Sequence, residues 1–174
     1  REGEYSGTNN QESGVDEADF LKTDGFHTYM LNGPLLLIME IPEFGQINLL
    51  STLEIEGNPM SMMIEGDTMV VASSVYGWQL EEGHPLIEIL AREFSYPNSD
   101  YVYQQYRSDL VKYSIIDISD RNSPAVQHEL YLEGYYNTAR LVDGTVRSIT
   151  HAQMDVWGLE YYVTLPDEYW SIED

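Results

Sequence analysis

An all-β fold built from repeated antiparallel four-stranded sheets is predicted by three observations: an ungapped internal echo, short recurrent strand patterns, and turn dipeptides at matching corners. Residues 34–74 read again at 111–151, every position displaced by 77. Leu53-Glu54-Ile55-Glu56-Gly57 returns as Leu130-Tyr131-Leu132-Glu133-Gly134, and Ile64-Glu65-Gly66-Asp67-Thr68-Met69 returns as Leu141-Val142-Asp143-Gly144-Thr145-Val146. Ile38-Met39-Glu40-Ile41 likewise maps onto Ile115-Ile116-Asp117-Ile118. A repeated unit cannot bury its apolar face alone and stacks on a neighbour, so the repeat decides architecture before any local pattern does.

The turn chemistry divides the repeat further. Asp24-Gly25, Gly66-Asp67 and Asp143-Gly144 each follow a short apolar segment and precede a β-rich one, which is the hairpin signal. Gly25 and Asp67 lie 42 residues apart, the length of one four-stranded propeller blade, whereas Asp67 and Gly144 lie 77 apart. The surplus of 35 is an insertion, and the strand pattern does stop between Tyr76 and Asp109. The expected order is therefore a first blade at about 17–57 with strands Asp19–Thr23, Phe26–Leu31, Leu35–Ile41 and Ile47–Ile55. A second blade at about 58–134 carries strands Met60–Ile64, Thr68–Ser74, Leu110–Ile118 and Ala125–Leu132, with the insertion at 76–109 between its second and third strands. A third, at about 135–174, opens with Thr138–Val142 and Thr145–Thr150. About two and a half blades make residues 1–174 a single partial propeller domain, since whole propellers take 4–8 blades.

Inside the insertion, Pro85 suits a first helical position, and Leu86, Leu90 and Phe94 recur at helical spacing with Ile87 beside them. A short amphipathic helix from Pro85 to about Phe94 is expected. Tyr96, Tyr101, Tyr103 and Tyr106 follow in a nearly uncharged stretch that is either irregular or an extra hairpin. The segment after His151, with Trp157, Tyr161, Tyr162, Tyr169 and Trp170, has the place of a second insertion in the third blade.

Composition narrows the partners. Thirty acidic against eight basic side chains give a formal net charge of −22. A field of that sign repels phosphate backbones and anionic headgroups, which argues against nucleic acid and membrane docking. Cationic partners, divalent metals or high salt suit it better, and an acidic surface also serves solubility. With no cysteine, neither a disulfide frame nor a thiolate metal site is available. Leu35 to Met39 is the longest apolar run, far short of the ~18 residues a membrane helix needs. Arg1-Glu2-Gly3 is not followed by the apolar core of a signal peptide.

Tyr5-Ser6, Thr8-Asn9, Gln11, Gly14-Val15-Asp16-Glu17-Ala18-Asp19 and Leu21-Lys22-Thr23-Asp24-Gly25 together resemble the opening signature of the secreted bacterial and archaeal beta-propeller domain proteins. Tyr113, Asp117-Ile118-Ser119-Asp120, Pro124 and Leu132-Glu133-Gly134-Tyr135-Tyr136 with Arg140 resemble a later segment of the same family. The resemblance runs from about Tyr5 to His151. It implies an exported propeller, secreted or at the cell surface, with more blades than are present here.

The acidic cluster Asp16, Glu17 and Asp19, with Asp24 five residues on, offers hard oxygen ligands of the kind calcium takes. It lacks the alternating spacing of a calcium loop, so the expectation is structural: Asp19 or Asp24 bonding backbone amides at blade corners. No cofactor is expected, calcium being the alternative. Asp117 to Pro124 reads as a connection between strands, because its repeat partner Glu40 to Gly45 lacks the ligand types. His27, His84, His128 and His151 are dispersed and form no metal-binding pair pattern. No nucleophile elbow or phosphate loop occurs.

The remaining candidate is aromatic. Trp78, Tyr96, Tyr101, Tyr103 and Tyr106 are a possible recognition surface for glycans or proteins, with simple capping of the blade edge as the alternative. The reading is a non-catalytic extracellular interaction or scaffold module that contacts protein or glycan, further blades, or another copy. The alternative is a polysaccharide- or polymer-acting hydrolase with carboxylates lining a central channel.

Overall fold

A computed structural model of the chain describes residues 15–43, 45–95, 102–106 and 109–152. The chain opens with β1 (Val15–Glu17) and then lays down a meander of β2 (Leu21–Thr23), β3 (His27–Asn32), β4 (Leu35–Glu40) and β5 (Asn48–Glu54). These four pair in sequence order as the first antiparallel sheet. β6 (Asn58–Glu65) and β7 (Thr68–Tyr76) begin the second sheet, which β10 (Asp109–Asp117) and β11 (Ala125–Glu133) complete after the insertion. Within the insertion lie a short 3-10 turn (Gly77–Gln79), helix α1 (Leu86–Leu90), and a hairpin of β8 (Ala91–Ser95) and β9 (Val102–Tyr106). β12 (Tyr135–Val142) and β13 (Thr145–His151) form the third sheet, which β1 joins.

Two four-stranded antiparallel sheets in meander order, followed by the opening pair of a third, are the blades expected from the repeat. The turns follow their residues. Gly66 takes φ +59 in the two-residue connection between β6 and β7, and Asp143 and Gly144 take φ +49 and +70 between β12 and β13. Positive φ at both central residues is the type I′ geometry that suits the twist of a tight hairpin, and Asp followed by Gly is a favoured pair for it. No described helix is long and apolar enough to cross a membrane.

The second sheet is buried on both faces, and period-2 alternation distributes its side chains. Met69 and Val71 of β7, with Met62, Ile116 and Ile118, pack against Tyr29, Leu36 and Ile38 of the first sheet. Val70 and Ala72, with Met63, Val111 and Tyr113, pack against Ala139 and Leu141 of the third. This explains why β7 reads as an unbroken apolar run, Met69-Val70-Val71-Ala72, rather than as an alternating strand.

Three features depart from expectation. The helix ends at Leu90 instead of reaching Phe94, because residues 91–95 pair with 102–106 and Phe94 registers opposite Tyr103. Cross-strand pairing outweighs a helical periodicity only two turns long. Second, the opening strand is Leu21–Thr23 rather than Asp19–Thr23, and an unforeseen strand, Val15–Glu17, crosses to β12, in register Val15 to Val142, Asp16 to Leu141 and Glu17 to Arg140. Third, the inner strand of the third sheet begins at Tyr135 rather than Thr138. The aromatic segment after Ala152, with Trp157, Tyr161, Tyr162, Tyr169 and Trp170, lies outside the described residues, as do Tyr96 and Tyr101.

Candidate functional site

The acidic opening segment does not converge on one point. Asp16 is tied to all three sheets: its backbone pairs with Leu141, its Oδ2 accepts the Ile64 N–H at 2.8 Å, and its Oδ1 meets Lys22 Nζ at 2.5 Å. Lys22 is buried and also donates to the Glu17 carbonyl, so an ammonium group stands where a cation would meet these oxygens. The Glu17 carboxylate faces Arg140 at 3.6 Å. Asp19 pairs its backbone with Met62, while its carboxylate accepts the N–H of Phe20 at 2.7 Å. Asp24 is elsewhere, at the β2–β3 corner, accepting the N–H groups of Phe26 and His27 at 2.9 and 2.7 Å and the Tyr29 hydroxyl at 2.9 Å. Burial alone would raise the Asp24 carboxyl, but these donors outweigh it and hold it below the usual range. Among the described residues no three acidic or histidine side chains are grouped to hold a metal ion.

One cation-centred network joins the first and second sheets, and another ties the second sheet to the connection between them. Arg121, in the loop between β10 and β11, donates through Nε to the Tyr29 hydroxyl at 3.2 Å and through Nη1 to Asp67 at 2.5 Å, with Asp24 at 3.9 Å. Its carbonyl accepts the Ser51 hydroxyl of β5 at 2.6 Å. Asp67 is mostly exposed, so its ion pair contributes little. The buried Tyr29 is the important partner, its phenol pushed up to about 12 by burial. Arg121→Met is expected to lower unfolding free energy by about 1–2 kcal/mol, read from urea denaturation with an unchanged m-value.

The second network is built on Lys112 of β10, whose side chain is 4% exposed. Its Nζ lies 2.8 Å from Glu56 and 2.5 Å from Glu129, over the Tyr131 ring. The Tyr131 hydroxyl donates to Glu56 at 2.5 Å, and His84 of the insertion sits edge-on to Tyr131 with Nε2 3.6 Å from Glu56. Burial would depress the Lys112 ammonium, but Glu129 and Glu56 outweigh it and raise its proton affinity. Burial would raise Glu56, yet Lys112 and Tyr131 hold it below the usual range. Tyr131 is pushed up to about 12 by burial and then by Glu56. Ser73 and Ser114 share this face, their hydroxyls buried and without a hydrogen-bond partner.

A family model described as the beta propeller domain matches residues 5–167. The chain belongs to the beta-propeller domain family. Neither the curated proteins nor the solved structures contain a match to it. In the propeller, the Arg121 network links the first two blades, and the Lys112 network holds the connection between them against the second.

The aromatic candidates divide. On the propeller's second blade, Trp78 is 71% exposed and stacks on Tyr76 with ring centroids 5.8 Å apart and planes 10° from parallel. The insertion that begins there interrupts the strand and leaves its first aromatic at the surface. Tyr103 and Tyr106 lie on β9 of the hairpin. Tyr135 and His151, at the start of β12 and the end of β13, stack 5.2 Å apart with planes at 25°. Sequence reasoning missed Lys22, Lys112 and Arg121. The available signal was scarcity: with eight cations against thirty acids, a lysine inside an apolar strand had to be paired.

Proposed function

We propose that the chain is a non-catalytic recognition module, part of an exported beta-propeller, that contacts its partner through the aromatic surface at the mouth of the second-blade insertion. The observation that carries this reading is the exposed Trp78 held flat against Tyr76. An exposed indole already fixed by stacking gives a partner a large contact area at small ordering cost. Asp24 and Glu56 are engaged inside the fold, Asp24 by two backbone amides and the Tyr29 hydroxyl, Glu56 by Lys112 and Tyr131. Export is supported by the resemblance of the opening segment to secreted propeller proteins, and the domain is read as one partial propeller over residues 1–174.

The test pairs retention with cleavage. Immobilised polysaccharides and extracellular matrix proteins are offered to the whole chain, and the same polymers in solution are assayed for new reducing ends and new peptide termini. Retention that falls in Trp78→Ala, without bond cleavage, is the expected result. Turnover above a buffer control, or retention indifferent to Trp78, would overturn the reading.

A further inference from the structure

We propose that Tyr76, Trp78, Tyr135 and His151 form one platform that binds an uncharged polysaccharide through the C–H faces of its pyranose rings. This rests on the recognition reading above and names its ligand class. The two stacked pairs come from different blades and are joined by Asp109. Tyr76 ends β7 and registers opposite Asp109, the first residue of β10. The Asp109 carbonyl accepts the Gly134 N–H at 2.7 Å, and its carboxylate accepts the Tyr135 hydroxyl. That hydrogen bond first, and the nearby Tyr76 phenol last, raise the proton affinity of Tyr135. The strand ends of two blades thus bring Tyr76 and Tyr135, each with its stacked partner, to either side of Asp109.

The geometry suits sugar rings. Both pairs are close to parallel, at 10° and 25°, and both carry an exposed member, Trp78 at 71% and Tyr135 at 43%. Flat, pre-stacked aromatic faces complement the weakly positive C–H face of a pyranose, while Tyr135, His151 and Asp109 supply polar edges for hydroxyls. Charge selects among glycans. A net charge of −22 repels sulfated and uronic acid chains. The same field would draw a polybasic peptide, but the exposed elements here are the Trp78 and Tyr135 rings, so polylysine is run as the competing outcome.

The experiment is affinity electrophoresis of the whole chain in gels containing hydroxyethyl cellulose, mannan or dextran, with heparin and polylysine run in parallel. Retardation by at least one uncharged polymer is expected. Trp78→Ala and Tyr135→Ala should each weaken it about tenfold, and Tyr135→Phe less, because the ring face remains. Unchanged thermal melting of each variant separates loss of binding from loss of fold. Lack of retardation by all three uncharged polymers, retardation by heparin or polylysine alone, or equal retardation of wild type and Trp78→Ala would overturn the proposal. A matrix protein retained in a Trp78-dependent way with no glycan bound would overturn it while leaving the recognition reading in place.

Discussion

Asp16→Ala is expected to lower the unfolding free energy by about 3–5 kcal/mol, the cost of leaving a buried charge without its partner. Lys22 is inside the fold with its ammonium on Asp16 Oδ1, and the same carboxylate accepts the Ile64 N–H. Alanine removes both, leaving a buried cation with the Glu17 carbonyl and a strand amide with no acceptor. Asp16→Asn should cost less, because its amide oxygen still reaches Ile64. Lys22→Met in the Asp16→Ala background should restore much of the loss, since the residual penalty is then one amide and some packing. Urea denaturation of wild type, Asp16→Ala, Lys22→Met and the double variant measures the coupling, and additive effects would show that the two side chains do not depend on each other. The same geometry bears on calcium: with both Asp16 oxygens engaged, CaCl₂ and NaCl at matched ionic strength should shift the melting temperature equally. A larger shift in calcium would mean that the ion binds a specific site.

What could be read beforehand was whatever is local in the sequence. Strands β3, β4, β7, β10 and β11 follow from short runs bounded by turn residues, and the insertion follows from the repeat length. Val15–Glu17 could not be placed, because a three-residue strand carries no periodicity and its partner, β12, comes far along the chain. The second half of the expected helix failed for a related reason: the partner of residues 91–95 is a strand that begins only at Val102. Trp78 stood out as a rare aromatic beside a glycine, and it is exposed. Tyr135 and His151 did not stand out, because fourteen tyrosines make any one of them unremarkable until the pairing of β12 with β13 sets Tyr135 opposite His151. The acidic cluster was expected to be structural, and Asp19 and Asp24 do accept backbone amides. Neighbours in sequence along an extended segment point in alternate directions, so Asp16, Glu17 and Asp19 bond separate partners.

Gly57→Ala and Gly134→Ala should each cost on the order of 3 kcal/mol or more, through left-handed backbone strain added to a clash that the fold cannot relieve. The two glycines are one position of the 77-residue repeat, each at the passage from the outer strand of one blade to the inner strand of the next. Gly57 has φ +81, and a Cβ there would overlap the Ser74 carbonyl oxygen and lie 2.7 Å from Val75 Cγ2. Gly134 has φ +115, and its Cβ would stand 2.5 Å from the His151 carbonyl oxygen. Ser74 and His151 are themselves repeat partners, so one close approach of backbone to backbone is made twice. The repeat also contains its own control. Gly66 has φ +59 with open space around its Cβ, and its counterpart is Asp143, a side chain carried at φ +49. Gly66→Ala should therefore cost only the conformational strain, about 1 kcal/mol. Equal losses at Gly57 and Gly66 in urea denaturation would show that the close approach adds nothing. A loss at Gly57 and Gly134 well above that at Gly66 would identify steric room, more than backbone freedom, as what keeps glycine in the echo.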